Sequence, residues 1–145
     1  MSGAGLLAGR RGLIMGVANN RSIAWGVAKA AAEQGAELAF TFQGEALEKR
    51  VQPLAASVES ELIMPCDVAD DASMDAVFEQ LEKTWGGLDF MVHAIAYADK
   101  DELDGRYVDT TPGNFTRSVD ISCYSFTTLC QRAEGLMTSG GSIIT

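Results

Sequence analysis

Short runs of consecutive apolar residues alternate along the chain with longer stretches whose apolar positions recur at helical spacing. Gly12–Ala18 is the first apolar run, and Ser22–Gln34 is Ala-rich, amphipathic and stopped by Gly35, which predicts strand, loop, helix. Glu37–Phe42 predicts a second strand, Glu45–Ala56 a second helix interrupted near Pro53, and Glu61–Met64 a third strand. Asp70–Trp85 predicts a third helix. Asp70 and Asp71 suit its positive end, and Gly86-Gly87 ends it. Leu88–Ile95 predicts strand four, Asn114–Met137 one long buried helix, and Gly140–Thr145 the opening of a fifth strand.

Strands apolar on both faces belong in a parallel sheet covered by helices on each side. Right-handed crossovers then give an α/β, doubly wound, Rossmann-type three-layer αβα fold, with ligand at the carboxyl ends of the strands. Residues 1–145 are expected to form one such domain, truncated within the fifth strand. That strand would otherwise stand uncovered at the sheet edge, so the sequence is expected to continue past Thr145.

Composition narrows the function. The 145 residues, 47% hydrophobic and 21% charged, suffice for one core. No apolar run approaches the roughly 18 residues of a bilayer span, and Met1–Arg11 lacks the layout of a signal peptide, so the expectation is a cytoplasmic protein without a membrane partner. Cys66, Cys123 and Cys130 form an odd set without a C-x-x-C pair and, with the lone His93, offer no metal cluster; they read as reduced core thiols. Cys123 and Cys130, seven apart on a helix, should share one face. A net charge of -9 argues against nucleic acid. It does not exclude a dinucleotide, whose pyrophosphate can be held by the backbone N–H groups of a helix N-terminus.

The first strand-to-helix turn, Gly16-Val-Ala-Asn-Asn-Arg-Ser22-Ile23-Ala24-Trp-Gly26, occupies the place of a dinucleotide loop without the G-x-G-x-x-G spelling. Gly16 permits a tight turn, Ser22 and Ala24 are small enough for close approach of a phosphate, and the Ser22 N–H opens the helix. An Asn-rich loop with a Ser cap is the plainer alternative. The spelling nevertheless resembles the cofactor loop of enoyl-acyl-carrier-protein reductases, divergent members of the short-chain dehydrogenase/reductase superfamily. The resemblance continues through Cys66-Asp67-Val68, Val92-His-Ala-Ile95, Leu103-Asp-Gly-Arg-Tyr107 and Asp120-Ile-Ser-Cys-Tyr-Ser-Phe126, and spans essentially the whole chain.

The resemblance implies positions for a cofactor. Gly16, Ser22 and Ile23 would surround its pyrophosphate and Gln43 its adenosine ribose. Asp67 would accept from the adenine amine, Val68 would pack on that ring, and Ile95 would press near the nicotinamide. Gln43 stands where many NAD-specific Rossmann proteins carry an acid; its amide hydrogen-bonds a ribose without repelling a 2'-phosphate. With no Arg directly beside it, NADH is favoured over NADPH. Taken singly, Gln43 also reads as a solvated loop residue, Asp67 as a turn residue and Ile95 as core. Tyr97, Ala98 and Ala96 are the substrate-side candidates, Ala96 standing where relatives often have Gly. His93 reads as a core histidine, and Asp99–Thr110 as either a substrate-side flap or a solvated loop.

The implied activity is hydride transfer from NADH to the β-carbon of a trans-2-enoyl thioester in fatty-acid elongation, with acyl-carrier protein as partner and a homotetramer as the assembly. The family's catalytic Tyr and Lys lie seven residues apart, and no such pair occurs here. Residues seven beyond Tyr97, Tyr107 and Tyr124 are Asp104, Asn114 and Gln131. The catalytic residues are therefore expected beyond Thr145, and the chain alone is expected to be inactive. Two rival readings are a carbonyl or alcohol dehydrogenase of the same superfamily and a non-catalytic dinucleotide-binding module.

Overall fold

The computed structural model of the chain describes residues 5–145. Five parallel strands, β1 (Arg11–Met15), β2 (Glu37–Phe42), β3 (Leu62–Pro65), β4 (Phe90–His93) and β5 (Ser142–Ile144), form one sheet in the order β3-β2-β1-β4-β5. The chain winds outward from β1 to β3, returns, and winds the other way through β4 and β5. The switch falls between β1 and β4, where the connections leave in opposite directions and open a crevice at the strands' carboxyl ends.

Consecutive strand residues serve opposite faces, which is why the strand sequences are apolar throughout. Leu13, Met15, Ala39 and Met91 pack on the side of α3 (Asp71–Trp85) and α5 (Ser125–Glu134) with Val77, Leu81, Leu129 and Ala133. Ile14, Phe40 and Val92 pack on the side of α1 (Ile23–Glu33) and α2 (Glu45–Ser57) with Ala28, Val51 and Ala55. The three-layer αβα arrangement expected from the sequence is thus present. Asp70 caps α3 by accepting from the Ala72 N–H, and Gly86 ends it in the left-handed conformation.

Several sequence-based expectations need correction. α2 is not interrupted: it runs through Pro53, because Val51 and Ala55 are fully buried while the N–H that exposed Pro53 lacks leaves only the carbonyl of exposed Lys49 unmatched. Strand four is shorter than Leu88–Ile95, since the chain leaves the ladder after His93. The long buried helix is α4 (Pro112–Val119), a π-helical turn over Asp120–Tyr124, and α5. α4 buries no residue, and the π turn uncouples it from the core-facing periodicity of α5. Cys123 accordingly lies exposed on the turn, whereas Cys130 is half-buried against the core, so the two do not share one environment.

At the strands' amino ends a polar lattice fixes the sheet. Asp89 accepts from the Arg11 N–H at 2.9 Å and from Arg10 Nη1 at 2.8 Å, while its own N–H donates to the Arg11 carbonyl at 2.9 Å. Arg11 also reaches Glu37 at 2.8 Å and the Trp85 carbonyl at 2.7 Å, joining β1, β2, β4 and α3. Among the described residues no helix is long and apolar enough to cross a membrane, and no group of three or more His, Cys, Asp or Glu could hold a metal ion.

Candidate functional site

The carboxyl ends of β1 to β4 surround a cleft of about 250 Å³. β1 is followed by Gly16, whose φ of +105° is open to glycine and strained for other residues. A Cβ built there would stand 2.0 Å from the Ala94 carbonyl oxygen, so Gly16 is required both by the turn and by the close crossing of the β1 and β4 loops. The cleft wall takes Gly16 from β1, Gln43 after β2, Asp67 and Val68 after β3, and Ile95, Ala96 and Tyr97 after β4. Residues distant in sequence, each singled out from the sequence alone, thus meet in one cavity.

Ser22, Ile23 and Ala98 do not line this cleft. Ser22 is the N-cap residue of α1, but its hydroxyl donates to the Asn19 carbonyl at 2.6 Å and accepts from the Ala18 N–H at 3.3 Å instead of capping the helix. The Ser22 N–H is itself taken by the Asn19 carbonyl at 3.2 Å. The N–H groups of Ile23 and Ala24, in the first turn of α1, have no acceptor among the described residues. They stand at the positive end of α1, with the Ile23 side chain 83% exposed. Ala98 is exposed and lies outside the wall.

Asp67 combines both of its readings. Its Oδ1 accepts from the Ala69 N–H at 2.9 Å in a turn that leads to the Asp70 cap, and its own N–H donates to Ser73 Oγ at 2.8 Å. Oδ2 has no partner among the described residues and remains an acceptor at the cleft. Gln43 is exposed and makes no side-chain hydrogen bond to the described residues. Val68 and Ile95 are half-buried and pack against the core from the wall, so each is core on one side and cleft on the other. Cys66 also lines the cleft, but burial, reinforced by neighbouring Asp67, pushes its thiol up to about 11; it stays protonated and unreactive near neutrality.

His93 is a satisfied core histidine. It is 2% exposed, with Nε2 2.7 Å from Ser125 Oγ and Nδ1 3.0 Å from Thr145 Oγ1. Ser125 donates its hydroxyl proton to the Ile121 carbonyl at 2.6 Å, so it accepts from Nε2–H, and Nδ1 accepts from Thr145. Burial lowers the His93 pKa and keeps the ring neutral.

Two wall residues, Arg117 and Ile121, escaped the sequence reading. They stand four apart on the segment expected to be buried helix. Their spacing could have marked a common face, but nothing local showed that α4 overhangs the cleft. Arg117 lies over the Tyr97 ring at 4.9 Å. The Asp99–Thr110 connection contributes nothing to the wall. Glu102 folds it back on α4 by accepting from the Thr111 hydroxyl at 2.7 Å, the Thr111 N–H at 3.0 Å and Asn114 Nδ2 at 3.1 Å, bonds that hold its carboxyl below the usual range. A larger hollow, about 680 Å³, lies against α1 and β5, where its charged lining residues Arg10 and Asp89 are already paired with each other.

Residues 16–145 match the family described as enoyl-(acyl carrier protein) reductase. The chain belongs to that family. It is 60% identical over 141 residues to enoyl-[acyl-carrier-protein] reductase [NADH] 2 of Rhizobium meliloti, covering 97% of this chain and 53% of that protein. Among solved structures it is similar to the reductase of Anaplasma phagocytophilum in complex with NAD, with TM-score 0.93 and 55% identity over 99% of this chain and 55% of that one. It also resembles FabI of Candidatus Liberibacter asiaticus, with TM-score 0.95 and 51% identity over 97% of this chain and 55% of that one. The chain spans about half the length of the curated relatives it matches.

Proposed function

We propose that the protein to which this chain contributes is an NADH-dependent enoyl-acyl-carrier-protein reductase, and that residues 1–145 supply the cofactor-binding domain. The observation that carries this reading is the convergence of Gly16, Gln43, Asp67, Val68 and Ile95 on one cleft at the topological switch point. The polar groups of the cleft, together with the amino end of α1, suit a dinucleotide. The uncapped N–H groups of Ile23 and Ala24 offer an anion site at the end of α1, Asp67 Oδ2 offers an acceptor for an exocyclic amine, and the Gln43 amide offers donor and acceptor to a ribose.

When bound, NADH supplies the hydride delivered to the β-carbon of a trans-2-enoyl thioester. The chain's own contribution is binding and orientation. Gly16 lets the backbone come close to the pyrophosphate, with Ser22 holding the loop through Asn19 and Ile23 contributing its N–H. Val68 packs on the adenine and Ile95 supports the nicotinamide end, while Ala96, Tyr97 and Ala98 form the substrate side. The relatives' names support NADH over NADPH. The Tyr hydroxyl and Lys that complete the family's chemistry are assigned outside residues 1–145, so this segment alone is expected to bind cofactor without turnover. Acyl-carrier protein as partner, a homotetrameric assembly and cytoplasmic location belong to the same proposal.

The test follows NADH absorbance in the protein expressed from its own complete reading frame, with a trans-2-enoyl thioester as acceptor and with NADPH and a simple ketone in parallel. Enoyl-dependent loss of NADH is the expected result. Oxidation with the ketone but not the enoyl thioester would replace the reading with a carbonyl dehydrogenase. Cofactor binding without turnover of either would replace it with a binding module.

A further inference from the structure

Residues 94–97 form the β4 side of the cleft wall but have no regular secondary structure. Their last tie to the sheet is the Ala94 N–H, which donates to the Met15 carbonyl at 2.9 Å. Beyond that point the polar anchors of this loop come from α4 and the π turn. The Tyr97 N–H donates to Ser122 Oγ at 2.9 Å, and the Ser122 hydroxyl donates back to the Tyr97 carbonyl at 3.2 Å. A hydroxyl carries one proton and two lone pairs, so a single serine satisfies both backbone groups of a half-buried residue that has no strand partner.

Neighbouring residues extend the anchor. The Asp99 N–H donates to Asn114 Oδ1 at 2.8 Å, the Ser118 hydroxyl donates to the same oxygen at 3.1 Å, and the Arg117 guanidinium covers the Tyr97 ring. Asn114, Ser118 and Ser122 recur at intervals of four and so form one polar stripe facing the loop. The stripe reaches Tyr97 only where the helix widens: Ser122 sits at the centre of the π turn, whose Ile121 carbonyl is held by Ser125.

We propose that Ser122 is a positioning residue of the reductase. It fixes the backbone of Tyr97, and through it the wall formed by Ile95 and Ala96, at the hydride-transfer end of the cleft. The proposal rests on the reductase reading above. It assigns the π turn a purpose: to bring one hydroxyl within reach of a loop that the sheet no longer holds.

The experiment compares wild type with Ser122→Ala and Ser122→Thr in the protein expressed from its complete reading frame. It measures kcat/KM for NADH with an enoyl thioester, Kd for 5'-AMP, and Tm. In the alanine variant kcat/KM is expected to fall about tenfold, the scale of leaving backbone groups unsatisfied. Binding of 5'-AMP, which probes only the adenosine side, is expected to stay unchanged, and threonine should restore most of the loss. Unchanged kcat/KM in Ser122→Ala overturns the proposal. So does a loss that appears equally in 5'-AMP affinity and Tm, which would make Ser122 a general structural residue. Absence of enoyl turnover in wild type instead overturns the reductase reading itself, and the proposal with it.

Discussion

The two ends of the parallel sheet solve opposite problems. At the amino ends the polar groups answer one another: Asp89 takes up the Arg11 N–H and the Arg10 guanidinium, and Arg11 spans to Glu37 and Trp85. At the carboxyl ends groups are left over: the N–H groups of Ile23 and Ala24, Oδ2 of Asp67 and the Gln43 amide have no partners among the described residues. Satisfied polar groups hold a fold, whereas unsatisfied ones facing a cleft are available to a ligand. Changes at the amino ends should therefore alter stability without altering affinity. Changes at the carboxyl ends should do the reverse, except where the backbone itself is at stake.

The largest effect is that exception. Gly16→Val forces a side chain into a left-handed position and against the Ala94 carbonyl, so NADH affinity should fall on the order of a hundredfold, with a lowered Tm. Calorimetric titration and thermal melting check both; retained affinity would show that the β1–β4 crossing does not shape the cofactor site. The counterpart at the other end is Asp89→Ala, expected to cost about 1–3 kcal/mol of stability while leaving NADH affinity unchanged. The bonds from the Arg11 N–H and Arg10 hold the Asp89 carboxyl below its ordinary 3.8. Its stabilisation is thus present above that value and lost as pH falls through the lower folded pKa, so the wild-type and Asp89→Ala denaturation curves should converge in acid.

Smaller effects sharpen the contrast. Gln43→Asp should weaken NADPH more than NADH, because a carboxylate repels a 2'-phosphate and still accepts from a ribose hydroxyl; competitive titration of the two cofactors measures the few-fold change in their ratio. The smallest effect belongs to His93. Burial lowers its folded pKa below the ordinary 6.5, so only the unfolded chain takes up the proton as pH falls past that value. The denaturant midpoint should therefore decline below pH 6.5, and a His93→Gln variant should lack that component of the slope.

The legible part of this molecule was whatever depends on local pattern. β2 appears over the expected residues, α3 starts and stops at its marked Asp and Gly signals, and the parallel, doubly wound layering follows from two-faced apolar strands joined by right-handed crossovers. Gly16, Gln43, Asp67, Val68, Ile95, Ala96 and Tyr97 became candidates through the family resemblance of the motifs that carry them; taken singly, Gln43, Asp67 and Ile95 read as loop, turn and core. What escaped was tertiary. Helical periodicity over Asn114–Met137 did not reveal a π turn, because an inserted residue leaves no compositional mark. The overhang of Arg117 and Ile121 depends on that turn. Pro53 misled in the other direction, since its fully buried neighbours Val51 and Ala55 outweigh a missing hydrogen bond.

The most direct test of the central claim is a crystal structure of the protein with NADH bound. The dinucleotide is expected along the carboxyl ends of β1 to β4, with adenine on Val68 beside Asp67, ribose at Gln43, pyrophosphate against the N–H groups of Ile23 and Ala24, and nicotinamide at Ile95. Density for NADH in the hollow between α1 and β5, or its absence from the cleft at saturating concentration, would contradict it.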